Sequence, residues 1–205
     1  MAATRIYLIR HAETLWNNER RYQGTLNSPL SEAGWDQSYR TRDALRGAPL
    51  RAVYSSPLVR AQETADVIAE PHGLPVVTVD GLSEIRVGEW EGLTTEEIEA
   101  RYAEAVHQWY TAPHLARIPG GETIEEMRLR AVSAFEEIRT RHDGQTLAVI
   151  AHGGVNKSII LTALGAPLAG YWRIRQHNAC INVLEYEGTH VRVILINETA
   201  HLGTS

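Results

Sequence analysis

The sequence predicts an α/β layered fold whose ligand site lies at the carboxyl ends of its strands. Three observations carry that expectation. Two short apolar runs, Ile6 to Ile9 and Leu147 to Ala151, each stop at a histidine, the first in Arg10-His11 and the second in His152-Gly153-Gly154. Strand-like runs alternate with longer stretches of helical periodicity. Near the C-terminus, apolar-rich segments at Ile181 to Tyr186 and Val191 to Ile196 flank Glu187-Gly188, the pattern of a hairpin or of two neighbouring strands.

Taken in order, Ile6 to Ile9 is rich in branched apolar residues and reads as a buried strand that delivers polar groups at its end. Ala52 to Tyr54 leads through Ser55-Ser56-Pro57 into a helical pattern over Leu58 to Glu70, with Pro57 suited to the first turn. Leu93 to Pro119 spaces its apolar residues irregularly and carries Trp109, Tyr110, Pro113 and Pro119, so it reads as an insertion or lid. From Glu122 to Arg141, Ile124, Met127, Val132, Phe135 and Ile138 recur near helical spacing and mark a long amphipathic helix after Gly120-Gly121. Ile159 to Leu164 belongs to a helix ending near Gly165-Ala166-Pro167. No repeat or linker interrupts the chain, so one domain over residues 1–205 is expected.

Composition removes several function classes. The 205 residues are 43% hydrophobic and 22% charged, ordinary for a globular chain, and the net charge of -5 offers no bulk attraction to nucleic acid or to an anionic membrane. Any anion site is therefore local. Cys180 is the only cysteine, which rules out an intrachain disulfide or a cysteine-built metal site and fits a reducing compartment. The apolar start is too short for a signal-peptide core and is broken by Arg10. No run approaches the roughly 20 apolar residues of a membrane span. A cytoplasmic protein is expected, with no membrane and no nucleic-acid partner, and a homodimer is left open.

The most informative string is Leu8-Ile9-Arg10-His11-Ala12-Glu13-Thr14-Leu15-Trp16-Asn17. A strand ending in Arg-His sets a fixed cation beside an imidazole, and neutral imidazole attacks phosphorus. Three further blocks follow: Arg21-Tyr22-Gln23-Gly24 leading to Ser28-Pro29-Leu30-Ser31-Glu32-Ala33-Gly34; Ser55-Ser56-Pro57-Leu58-Val59-Arg60-Ala61-Gln62-Glu63-Thr64-Ala65; and Leu82-Ser83-Glu84-Ile85-Arg86-Val87-Gly88-Glu89-Trp90-Glu91-Gly92. Ala151-His152-Gly153-Gly154 closes the set. In this order the blocks resemble the histidine phosphatase superfamily, the phosphoglycerate mutase-like enzymes. Arg10-His11-Ala12 stands where that family usually has Arg-His-Gly, and Asn27 stands where it usually has aspartate.

The resemblance implies a three-layer αβα sandwich with a mostly parallel central sheet and a small helical lid insertion at about residues 93–120. It also implies hydrolysis of a small-molecule phosphomonoester, with no metal and no cofactor. His11 is then the nucleophile, Glu84 the general acid and base, and Arg10, Arg60 and His152 the phosphate clamp. Asn17, Gln23, Gly24, Thr25 and Gly153 are further candidates for substrate binding. These residue types suit the chemistry, because a phosphoryl-transfer transition state spreads charge over its non-bridging oxygens and guanidinium pairs two of them at once.

Each assignment has a plainer rival. Glu89 and Glu91 compete with Glu84, and Asn178 is more simply a turn residue than a pocket residue. Trp90, Trp109 and Tyr110 are more simply packing aromatics, although a lid would let one or two touch the leaving group. The other histidines show no metal-ligand spacing. A cofactor-dependent phosphoglycerate mutase shares the chemistry but returns the phosphoryl group to a second hydroxyl. The compact Gly88-to-Gly92 stretch and Pro119-Gly120-Gly121-Glu122-Thr123 look more like the family's broad-specificity and ribazole-phosphate phosphatases. A catalytically inactive phosphate-ligand binding protein would have less reason to keep all five core residues.

Overall fold

Successive side chains of a strand point to opposite faces, so a continuous apolar run buries both, and the computed structural model, which describes residues 3–203, has such a run at its centre in Leu147 to Ala151. Four strands are parallel: β1 (Thr4–Arg10), β2 (Leu50–Ser55), β3 (Val76–Thr78) and β4 (Thr146–Ala151). β5 (Ile181–Glu187) and β6 (His190–Glu198) form the expected hairpin, with β5 antiparallel to β1. The sheet order is β3-β2-β4-β1-β5-β6, so β1 and β4 lie at its centre with Arg10 opposite Ala151.

The helices are α1 (Leu15–Asn18), α2 (Glu32–Leu45), α3 (Val59–Ala69), α4 (Thr95–Thr111), α5 (Ile124–Arg141) and α6 (Gly153–Ala163). On one face of the sheet, Ile6 and Leu8 of β1 join Leu147, Val149 and Ala151 of β4 and pack on Met127 and Phe135 of α5 and Val155 and Ile159 of α6. On the other face, Ile9, Ala148 and Ile150 pack on Leu45 of α2 and Ala61, Ala65 and Ile68 of α3. This is the αβα layering that the sequence predicts. Among the described residues no helix is long and apolar enough to cross a membrane.

Local sequence explains several boundaries. The helix expected over Leu58 to Glu70 runs from Val59 to Ala69, and Pro57 lies before it rather than in its first turn. Leu58 stays extended there, its amide donating to Ser56 Oγ at 3.3 Å, which delays the helix. α5 starts where Thr123 and Glu126 form a reciprocal capping box. Segment 93–120 is mostly α4 followed by turns, and the backbone departs from helical geometry at Tyr102, which breaks the apolar register. α2 escapes periodicity reading because its buried face is Gly34, Ser38, Thr41 and Leu45, small or hydroxyl-bearing except for the last.

Topology sets the place of the site. After β1 the chain passes to α2 on one face, and after β4 it passes directly to α6 on the other. Adjacent strands whose connections diverge in this way leave a crevice between their carboxyl ends. Arg10-His11 and His152 stand at that crevice.

Candidate active site

The strand ladder continues one residue past β1. The His11 amide donates to Ala151 O at 2.9 Å, which holds His11 against the end of β4. Its ring Nδ1 lies 2.7 Å from Ala12 O. A carbonyl oxygen only accepts, so Nδ1 carries the ring proton and Nε2 keeps its lone pair. Burial, then the neighbouring Arg60 and Arg10, hold the imidazole well below its ordinary pKa, so the ring is neutral at neutral pH. The His152 ring centroid lies 5.1 Å from that of His11. His152 is fully buried behind His11 rather than on the cavity wall, with Nε2 2.7 Å from Ser56 Oγ and Nδ1 without a partner. Its pKa is also lowered, by burial and then by Arg60, His11 and Arg10.

Two guanidinium groups, of half-buried Arg10 and buried Arg60, complete the floor. Arg10 donates from Nη1 to Gln176 O at 2.6 Å, and its Nε has no partner. Arg60, on the first turn of α3, donates to Leu26 O at 2.9 Å and to Gly24 O at 2.8 Å, and its Nε also lacks a partner. Burial pushes Arg60 down to about 10, which leaves it charged at neutral pH. Three buried nitrogens in one place, Arg10 Nε, Arg60 Nε and His152 Nδ1, thus lack partners within the protein. Such groups are costly to bury unless a ligand answers them, and the charge of the two arginines selects an anion.

Glu84 is the one carboxylate on the cavity wall. Its Oε1 accepts from the Ile85 amide at 2.9 Å and its Oε2 from the Gly154 amide at 3.0 Å, at the start of α6. A side chain on Gly154 would collide with that carboxylate, so glycine is required for the approach. The loop carrying Glu84 is braced by Arg130 of α5, which donates to Ser83 O at 2.6 Å and Glu84 O at 2.9 Å and pairs with the buried Glu122. The rival acids are engaged elsewhere. Glu89 accepts from Tyr102 Oη at 2.7 Å, and Glu91 accepts from the Thr25 amide at 2.9 Å.

The second-rank candidates divide. Asn17, Gln23, Gly24 and Gly153 line the cavity. Gln23 donates to Thr14 Oγ1 at 2.8 Å and leaves its buried Oε1 unpaired. Gly24, at φ +51°, places its carbonyl on Arg60. Thr25 departs from the expectation. Both its amide and its hydroxyl donate to Glu91, and the residue is not part of the wall. Asn178 is a turn residue, as the plainer reading has it, yet its Nδ2 donates to Asn17 Oδ1 at 3.0 Å and to His11 O at 3.3 Å, tying the turn before β5 to the floor.

A matching family model, the histidine phosphatase superfamily (branch 1), covers residues 6–199. The chain belongs to the histidine phosphatase superfamily. Its reaction class is phosphomonoester hydrolysis. Phosphoserine phosphatase 1 of Hydrogenobacter thermophilus is 36% identical over 97% of this chain and 94% of the relative. A probable phosphoglycerate mutase, GpmB, of Yersinia pestis is 32% identical over 89% of this chain and 85% of its own. The solved structure of Bacillus stearothermophilus YhfR superposes with a TM-score of 0.94 at 34% identity, over 97% of this chain and 99% of that one.

Around the floor of this histidine phosphatase the cavity, of about 400 Å³, is walled by aromatic residues. Trp109 and Tyr110 come from α4, Tyr22 from the loop after α1, and Tyr171 and Trp172 from the turn that follows α6. Tyr22 and Tyr110 share a 2.9 Å hydrogen bond, and Trp172 Nε1 donates to Trp109 O at 2.5 Å, so α4 is pinned on both sides. Trp109 is thus both a packing aromatic and a wall, whereas Trp90 is core alone. Tyr22, Tyr171, Trp172 and Lys157 were not singled out by sequence reading. A usable signal existed for Lys157, because it stands four residues after Gly153 and so shares that face of α6.

Proposed function

We propose that the site hydrolyses the phosphomonoester of a small alcohol through a phosphohistidine on His11, with O-phosphoserine the first substrate to test. The observation that carries this reading is the His11 tautomer: Nδ1 is spent on Ala12 O, which leaves Nε2 free in a cavity that Arg10 and Arg60 also line, each with an unpaired Nε. Nε2 donates its electron pair to phosphorus as the ester P–O bond breaks, and the leaving oxygen takes a proton from Glu84 to depart as an alcohol. Glu84, now a carboxylate, takes a proton from water. That water oxygen bonds to phosphorus as the P–N bond breaks, returning His11 and releasing inorganic phosphate. Arg10 and Arg60 hold the non-bridging oxygens throughout, with His152 packed against the His11 ring, and Gln23, Asn17 and the Gly153 amide rim the same pocket.

Phosphoserine is put first because the Hydrogenobacter relative is named for it and because a cavity of about 400 Å³ suits a small ester. The similarity to a probable mutase supports one competing outcome, return of the phosphoryl group to a sugar-acid hydroxyl. A panel of phosphomonoesters that includes O-phosphoserine and 3-phosphoglycerate separates the two. Inorganic phosphate release that His11→Ala abolishes supports hydrolysis, whereas conversion of 3-phosphoglycerate to 2-phosphoglycerate without net phosphate release supports the mutase. A single buried, free cysteine supports a reducing, cytoplasmic setting.

A further inference from the structure

We infer that Lys157 is a specificity-determining residue that pairs with a carboxylate on the alcohol portion of the substrate while Arg10 and Arg60 take its phosphate. The inference rests on the phosphomonoesterase reading of the cavity and goes beyond it in naming what departs with the ester oxygen.

Lys157 is the only lysine in the chain; every other member of the 20 Lys and Arg residues is arginine. It is presented by α6, and its ammonium stands 4.0 Å from the Trp172 ring centroid and 4.7 Å from that of Tyr171. Two aromatic faces thus hold a cation at the cavity wall. Among the described residues it has no salt-bridge partner. Burial, then the neighbouring Arg10, pushes its pKa down to about 8 against the weaker pull of Glu84, so it is charged at neutral pH without an ion-pair partner among the described residues.

The charge balance of the cavity points the same way. Arg10, Arg20, Arg21, Arg60 and Lys157 line it against the single acid Glu84. Arg21 is paired with Glu19 and Glu97, and Arg20 stands among exposed residues at the mouth. A phosphate dianion answers Arg10 and Arg60. Lys157 is then a surplus cation, desolvated on one side, in a cavity too small for a polypeptide or an oligonucleotide. A compact ester with one further anionic group satisfies it, and a carboxylate is the group that a single ammonium point charge matches without a guanidinium fork.

The test compares matched esters with and without the carboxylate: O-phosphoserine against O-phosphoethanolamine, and 3-phosphoglycerate against glycerol 3-phosphate. Phosphate release is measured with wild-type protein, Lys157→Met, Lys157→Gln and Lys157→Arg, and binding of the same four compounds is measured by calorimetry in a His11→Ala background with and without Lys157→Met. We expect Met and Gln to lower the kcat/KM preference for the carboxylated member of a pair at least tenfold, chiefly through KM, and Arg to retain most of it. Equal losses on both members overturn the Lys157 assignment while leaving the phosphatase reading intact. Lys157-dependent binding of the carboxylated members, without phosphate release by the wild type, overturns the phosphatase reading and leaves the assignment standing. Binding of none of the four overturns both.

Discussion

The floor and the wall of one cavity are built on opposite principles. The floor, Arg10, His11, Arg60 and His152, sits on strand ends and the first turn of a helix, is buried except for the half-buried Arg10, and carries polar atoms whose partners must come from outside. The wall, Tyr22, Trp109, Tyr110, Tyr171 and Trp172, comes from loops and from α4; Tyr22 bonds Tyr110 and Trp172 bonds the Trp109 carbonyl, while the buried Trp109 Nε1 has no partner. A rigid, unsatisfied floor specifies the group that reacts. An aromatic wall held together by its own contacts specifies what that group is attached to, and it can vary without touching the chemistry.

On that division, substitutions in the floor strike turnover of every substrate and those in the wall shift preference among substrates. His11→Ala has the largest expected effect, a loss of kcat on the order of 10⁴-fold or more on all esters, because no other group forms the covalent intermediate. Circular dichroism should show the fold unchanged. Glu84→Gln should slow alkyl esters by roughly 10²-fold or more, and p-nitrophenyl phosphate distinctly less, since that leaving group needs little protonation. Equal slowing of both would move the acid elsewhere.

Arg60→Ala should cost about 10² to 10³ in kcat/KM through lost charge stabilisation. It should also lower the urea midpoint, because Gly24 O and Leu26 O lose their donor; the structural part is about 1–3 kcal/mol. An activity loss without a stability loss would mean that the loop over Arg60 does not depend on it.

The floor should also make the protein sensitive to acid. His11 and His152 are held well below the ordinary 6.5 of histidine, so below pH 6.5 the unfolded chain binds protons that the folded one refuses. Stability therefore falls as pH drops through that window and reaches its full value above it. Replacing His11 by Asn should flatten the decline between pH 6.5 and 5 by up to about 1.4 kcal/mol per pH unit. Parallel urea-midpoint curves for wild type and variant would contradict the neutral, buried His11. The smallest effect belongs to the wall: Tyr110→Phe removes the Tyr22 hydrogen bond and should change KM by a few-fold, with kcat nearly preserved, for a loss of about 0.5–1.5 kcal/mol.

The same division explains what could be read before the structure. His11 and His152 end apolar runs, and Arg60 and Glu84 lie in ordered sequence blocks, so local pattern and resemblance together point to the floor. Tyr22, Lys157 and the Tyr171-Trp172 pair stand well apart in sequence and meet only through the fold; apart from the spacing of Lys157 from Gly153, no local pattern announces them. Thr25 adjoins Gln23 and Gly24 in sequence, but its donors turn to Glu91, a contact between residues 66 positions apart. Among the elements, the strands were legible because a buried parallel strand is apolar on both faces. α2 was not, since Gly34, Ser38 and Thr41 bury small surfaces against a close neighbour instead of displaying an apolar stripe. The irregular spacing of segment 93–120 reflects a real break at Tyr102, where α4 leaves helical geometry.

The most direct test of the central claim is to trap the phosphoenzyme. Protein mixed with O-phosphoserine or p-nitrophenyl phosphate, quenched within milliseconds under alkaline conditions and digested, should yield one peptide carrying a phosphoryl group on His11, absent from His11→Ala and lost on brief acid treatment. Turnover with no labelled peptide, or with the label on another residue, would contradict the account.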